Sequence, residues 1–270
     1  SALARPAAPW EPKDPLPAAI DAQPHAGAPP WVLVVRDFVT RRAGLAFASE
    51  ADHCVAQHTS RYLADKDAFP PRVTAPVSSR VARPLAGTPS PASGGEHLIS
   101  QTLDMRAARD RCAHDLHGRQ VGVSSILMAA LYERLMSIER PQFREPATAV
   151  DGSFWGALTP VVEKEYREKL PKMARAIAIL NQADKWEALR AAITPHLLPA
   201  RKLKECLQRA KAAHRYSDLR YDKVPINEDF FAAAVNHANQ MRNRFTILDI
   251  AVLLGVLPEE TGDLIDNWLS

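Results

Sequence analysis

Cysteine is scarce in this chain. Only Cys54, Cys112 and Cys206 occur in 270 residues, far apart and with no CxxC pair. The odd number and wide spacing disfavour a disulfide framework and a thiolate zinc knuckle, and fit a reducing cytoplasm. Long apolar runs are also missing. The stretch WVLVV at 31–35 falls far short of the roughly 20 residues that span a bilayer, and the prolines before it argue against a signal-peptide core. Charge of one sign is not concentrated either: 34 Lys and Arg stand against 31 Asp and Glu, mixed throughout, for a net +3. No basic block tracks a phosphate backbone, so neither nucleic acid nor a membrane is expected as a partner. Glycine is thin, with only Gly27 and Gly44 before Gly87.

What is present divides near residue 90. The composition, 46% hydrophobic and 24% charged, is that of a soluble globular protein. Fourteen of the 22 prolines lie in residues 1–91. Residues 1–30 read as a proline-rich arm, and residues 31–88 as a thin α/β region in which 31–35 is a buried strand. From 89 to 270 the pattern is helical. One helix is expected from about Glu96, carried by Leu98, Leu103, Met105 and Ala108. A second is expected from His117 through Leu135. Further helices are expected at 161–180, 184–194, 199–213, 228–243, 246–254 and 259–268, several of them separated by prolines. Thr246 with Asp249 reads as an N-cap and its partner. Trp155 and Trp186 read as core anchors. The acid–base pairs of EKEYREKLPKMARA (163–176) read as a solvated helix face. Cys112 reads as a buried small hydrophobe.

Two histidines stand out, His97 after Gly94 and Gly95, and His117 before Gly118. Imidazole suits zinc and iron, and a catalytic metal commonly takes three protein ligands and leaves one position open. Ligands at the starts of neighbouring helices would be fixed by rigid elements. The bland reading stays beside this one, since the chain has nine histidines and most histidines are ordinary surface or core residues. His114, three residues before His117, competes as a neighbour on a shared helical face. Arg242 or Arg244 in QMRNRFTILD could reach a phosphate, or could lie on a solvated face leading into the cap.

The segments PASGGEHLIS and DLHGRQVGV resemble the metal-binding segments of the sn-glycerol-1-phosphate dehydrogenases, in the iron-containing alcohol dehydrogenase and dehydroquinate synthase-like superfamily. MRNRFTILDIAVLLGVL (241–257) resembles that family's closing helices, and the likeness before residue 89 is patchy. The resemblance implies an α/β Rossmann-like N-terminal domain, partial in this chain, followed by an all-α metal-binding domain. It implies zinc, iron or nickel held by His97, His117 and an Asp, and NAD or NADP near Asp52, Thr74 and Ser78. Ser93, Gly94 and Gln101 would line the pocket of a small phosphorylated substrate. The implied reaction is the reversible reduction of dihydroxyacetone phosphate. The chain departs from the family pattern in three ways. The Gly-rich pyrophosphate loop is absent, no segment matches the one that supplies the Asp ligand, and Gln101 stands where a second histidine is usual. A two-half dinucleotide domain also needs about 150 residues, and only about 90 precede the helical part. Two other readings therefore stand: a non-catalytic remnant acting as a binding or oligomerisation module, and a metal-dependent lyase or cyclase. Oligomeric state is left open, a homo-oligomer included.

Overall fold

The structure is a computed structural model and describes residues 94–270. The proline-rich arm and the α/β region expected over 1–88 lie outside the described residues. Among the described residues, nine α-helices and one small hairpin, with three short 3-10 turns between them, make up the regular elements: α1 (Gly95–Asp110), α2 (His117–Met136), α3 (Gly152–Trp155), α4 (Thr159–Leu180), α5 (Lys185–Ile193), α6 (Ala200–Arg209), β1 (Arg220–Tyr221), β2 (Val224–Pro225), α7 (Glu228–Ala238), α8 (Ile247–Leu253) and α9 (Thr261–Leu269).

The central element is α2. It buries Val123, Ile126, Leu127, Met128, Leu131 and Leu135, and it packs against α1, α6, α8 and α9. A helix with so wide an apolar stripe is stable only when surrounded. The start of α1 approaches it closely. A Cβ on Gly95 would meet Met128 Sδ at 2.6 Å and Leu248 Cγ at 3.2 Å, so the absence of a side chain lets α1 seat against α2 and α8. Trp155 and Trp186 are buried in the same core.

Two expectations need correction here. The run 163–176 is not wholly solvated. Arg167 and Glu163 do form an exposed pair at 2.8 Å, but Lys169 is fully buried. Its Nζ lies 3.0 Å from Asp249 Oδ1, also fully buried, and donates to the carbonyl of Asn239. Asp249 meanwhile completes the cap of α8. Its Oδ2 accepts from Thr246 N at 2.6 Å, while Thr246 Oγ1 accepts from Leu248 N at 3.3 Å. One carboxylate thus joins α4 to the start of α8. The second correction concerns length. The helix expected over 228–243 ends at Ala238, and residues 239–246 cross α4 as a loop, because Lys169 and Lys172 take the carbonyls of Asn239 and Asn243. The helix expected over 199–213 likewise ends at Arg209, and the hairpin at 220–225 was not anticipated.

Removing one member of a buried ion pair leaves an uncompensated charge, at a cost of about 3–5 kcal/mol. Lys169→Met should destabilise the protein by that amount in urea denaturation, and adding Asp249→Asn should recover most of it. Asp151 caps α3, accepting from Ser153 N and Oγ and from Phe154 N, and pairs with His237 Nε2 at 3.1 Å. The Ser153 and Phe154 bonds, with His237, hold its carboxyl well below the ordinary value. A depressed folded pKa gives stability above the unfolded value, lost as pH falls. Asp151→Ala should therefore lower stability by about 1 kcal/mol at neutral pH, with the difference shrinking below about pH 4.

Candidate functional site

His97 lies in the first turn of α1, and His117 is the first residue of α2. Their ring centroids lie 5.2 Å apart, with the planes tilted by 58°. The connection that makes this meeting possible is extended. Residues 112–116 run back beside α1, so that His114 Nδ1 comes 3.2 Å from Asp104 and His117 arrives opposite Ser100. The β1–β2 hairpin holds this return path. Asp222 N donates to the Ala113 carbonyl at 3.0 Å, Ala113 N donates to Asp222 Oδ1 at 2.6 Å, and Arg220 N donates to Asp115 Oδ2 at 2.9 Å. Asp115 also pairs with Arg119 in the first turn of α2, at 3.0 Å.

Each imidazole is fixed through Nδ1. On His97, Nδ1 meets Glu96 Oε1 at 2.8 Å, and the same oxygen accepts from Gly94 N at 2.8 Å. Burial alone would raise the Glu96 carboxyl's pKa. The His97 bond and charge and the Gly94 N–H outweigh it and keep the group below its ordinary value. A carboxylate only accepts, so Nδ1 of His97 carries the proton.

On His117 the same result follows from a longer chain. Asp104 Oδ1 accepts from Gln120 Nε2 at 3.0 Å, which turns Gln120 Oε1 toward Ser100. Ser100 Oγ donates its single proton to that oxygen at 2.6 Å. It must then accept at 2.8 Å from His117 Nδ1, which is therefore protonated. No described residue bonds Nε2 of either ring. Metal-binding histidines are commonly held this way, through the second nitrogen by a carboxylate or another acceptor.

Imidazole nitrogen is a donor type that suits a divalent metal, so the two rings could supply two ligands of a set. Among the described residues, no group of three His, Cys, Asp or Glu side chains is arranged to hold an ion. His114 is not on a shared helical face with His117, because it precedes α2; its ring turns to Asp104 and the Asp115 carbonyl. Cys112 is half-exposed rather than buried, and Asp222 beside it pushes its thiol's pKa up. Gln101 lies one turn after His97, and Gly94 N is tied to Glu96. Asp52, Thr74, Ser78 and Ser93 lie outside the described residues. Sequence reasoning missed Glu96, Ser100, Asp104 and Gln120. The available signal was spacing, for Ser100 follows His97 by three and Gln120 follows His117 by three, each on its histidine's helical face.

The chain is similar to archaeal glycerol-1-phosphate dehydrogenases over part of its length. It is 55% identical over 60 residues to glycerol-1-phosphate dehydrogenase (NAD(P)+) of Halorubrum lacusprofundi, which is 22% of this chain and 16% of that protein. It is 42% identical over 93 residues to that of Natronomonas pharaonis, 31% of this chain and 25% of that protein. With that of Staphylothermus marinus the identity is 40% over 90 residues, 33% of this chain and 24% of that protein. The matched stretches thus span no more than about a quarter of these relatives' own length. No family model matches, and no solved structure matches. Among the described residues, no helix is long and apolar enough to cross a membrane.

The tautomer of His117 is directly observable. Nitrogen NMR should show Nδ1 protonated and Nε2 bare in the metal-free protein. Ser100→Ala should release that preference while His97 keeps its own. An unchanged His117 tautomer in Ser100→Ala would disprove the assignment.

Proposed function

We propose that the chain is a metal-dependent oxidoreductase of the glycerol-1-phosphate dehydrogenase type, reducing dihydroxyacetone phosphate or a related phosphorylated ketone with NADH or NADPH. The observation that carries this reading is the pair of adjacent imidazoles, each anchored at Nδ1 and with no described residue bonded at Nε2. The partial identity to glycerol-1-phosphate dehydrogenases supports it. His97 and His117 would hold zinc, iron or nickel, with a third ligand from outside the described residues. The metal would polarise a carbonyl as a Lewis acid while the nicotinamide supplies hydride.

The chain's own groups then have definite tasks. Glu96 accepts the Nδ1 proton of His97 and so fixes the ring's orientation. Asp104, through Gln120 and Ser100, does the same for His117. Gln101 offers an amide where a titrating group would be needed to move a proton, so it can bind and orient a substrate hydroxyl or carbonyl but cannot exchange protons with it. Gln101 is the specific observation that favours the second reading, in which the helical part is a binding or oligomerisation module without catalysis.

Elemental analysis separates the two. About one zinc, iron or nickel per chain, lost in His97→Ala, is expected, followed by NADH or NADPH oxidation that depends on dihydroxyacetone phosphate. Native protein that takes up no metal even after incubation with zinc would leave the module reading. Ser100→Ala should weaken metal affinity by roughly 10- to 100-fold, the usual effect of losing a group that orients a ligand.

A further inference from the structure

The loop between α7 and α8 carries a feature that the imidazole pair does not explain. Arg242 has φ 58°, in the left-handed region, which an L residue with a long side chain adopts only at a cost in free energy. The surroundings impose it. On one side Lys169 takes the Asn239 carbonyl and lies 3.5 Å from that of Met241. On the other, Lys172 takes the Asn243 carbonyl at 2.6 Å, and Asn243 Nδ2 donates to Glu168 at 2.8 Å. A glycine or asparagine would satisfy such a turn with less strain. The turn instead presents a guanidinium.

That guanidinium is aimed at α1. Arg242 Nε donates to Gln101 Oε1 at 3.3 Å. Helical side chains lean toward the helix N-terminus, so the Gln101 amide lies over the turn that holds His97. Arg242 therefore stands at the His97 end of the site. Its head is half-exposed, and Nη1 is 3.6 Å from Glu165, too long for a hydrogen bond. No described residue bonds Nη2. With Nε occupied by Gln101, the Nη edge forms a fork matched to two oxygens of a phosphate.

We propose that Arg242, oriented by Gln101, is the residue that recognises the phosphate of the substrate and excludes its uncharged counterpart. The proposal rests on the reading of the His97–His117 face as the reaction site. Its test does not need metal or hydride transfer. The full chain is titrated with inorganic phosphate, dihydroxyacetone phosphate and dihydroxyacetone, and the Gln101 side-chain amide is followed by NMR. Both phosphorylated probes should shift that signal, and dihydroxyacetone should not. Arg242→Gln should weaken phosphate binding by roughly 10- to 100-fold, as expected for losing a charge-assisted bidentate contact. Arg242→Lys should fall between, and Glu165→Gln should tighten binding by removing the opposing carboxylate.

Arg242→Gly separates recognition from scaffolding. It relieves the strained backbone, so its melting temperature should hold or rise while phosphate binding is lost. A lower melting temperature with phosphate binding intact would make Arg242 a structural residue and overturn the proposal. So would unchanged binding in Arg242→Gln. Metal uptake, measured separately, reports on the oxidoreductase reading: phosphate bound at Gln101 in a protein that takes up no metal would defeat that reading and leave Arg242 as an anion site.

Discussion

The buried pair of Lys169 and Asp249 is the constraint on which the C-terminal half depends. Two charges removed from water are tolerated only when their remaining hydrogen-bonding capacity is met nearby. Lys169 meets this requirement with the carbonyls of the crossing loop; Asp249 meets it at Oδ2 with the Thr246 cap, while Oδ1 has only the Lys169 charge beside it. The pair therefore fixes three things at once: the path of the loop over α4, the start of α8, and the seating of Leu248 on Gly95 where α1 begins. Through that contact a charge pair within the scaffold reaches the turn that carries His97.

The other half of the site is placed by different means. The return path before α2 has little apolar burial of its own, with Ala113, His114 and Leu116 all exposed. It is held by backbone bonds to the hairpin and by Asp115, which accepts from Leu116 N, Arg119 and Arg220 N. Hydrophobic packing positions the helices. Polar contacts position the histidines. The division is reasonable, since packing sets an axis while an imidazole needs one nitrogen fixed to point the other.

The helices were largely legible in the sequence because period and punctuation agree. Apolar positions mark α1 and α2 to within a residue or two, and the Thr246–Asp249 spacing gave the cap of α8. Lys169 was not legible. It lies among Glu163, Lys164, Arg167 and Glu168, and nothing local distinguishes a buried lysine from solvated neighbours; its partner is 80 residues away. The end of α7 was misjudged for the same reason, since distant lysines from α4 capture the carbonyls that would continue it. The hairpin is two residues a side, too short for an alternating pattern to register. At the site, His97 and His117 were visible as residue types beside glycines. Their supporting shell was hidden, because Ser100 and Gln120 are ordinary helix residues until a fold brings them together.

Among the described residues, the hydrogen bonds that fix the two rings all close within residues 94–120. Glu96 and Gly94 serve one ring, and Ser100, Gln120 and Asp104 serve the other. The pair is thus set before anything arrives. A ligand drawn to both Nε2 atoms would not have to halt freely rotating side chains, so little rotamer entropy would oppose its capture. On the proposed reading the energetic uncertainty of binding moves to whatever completes the coordination, and the two histidines would be a preassembled half of a socket.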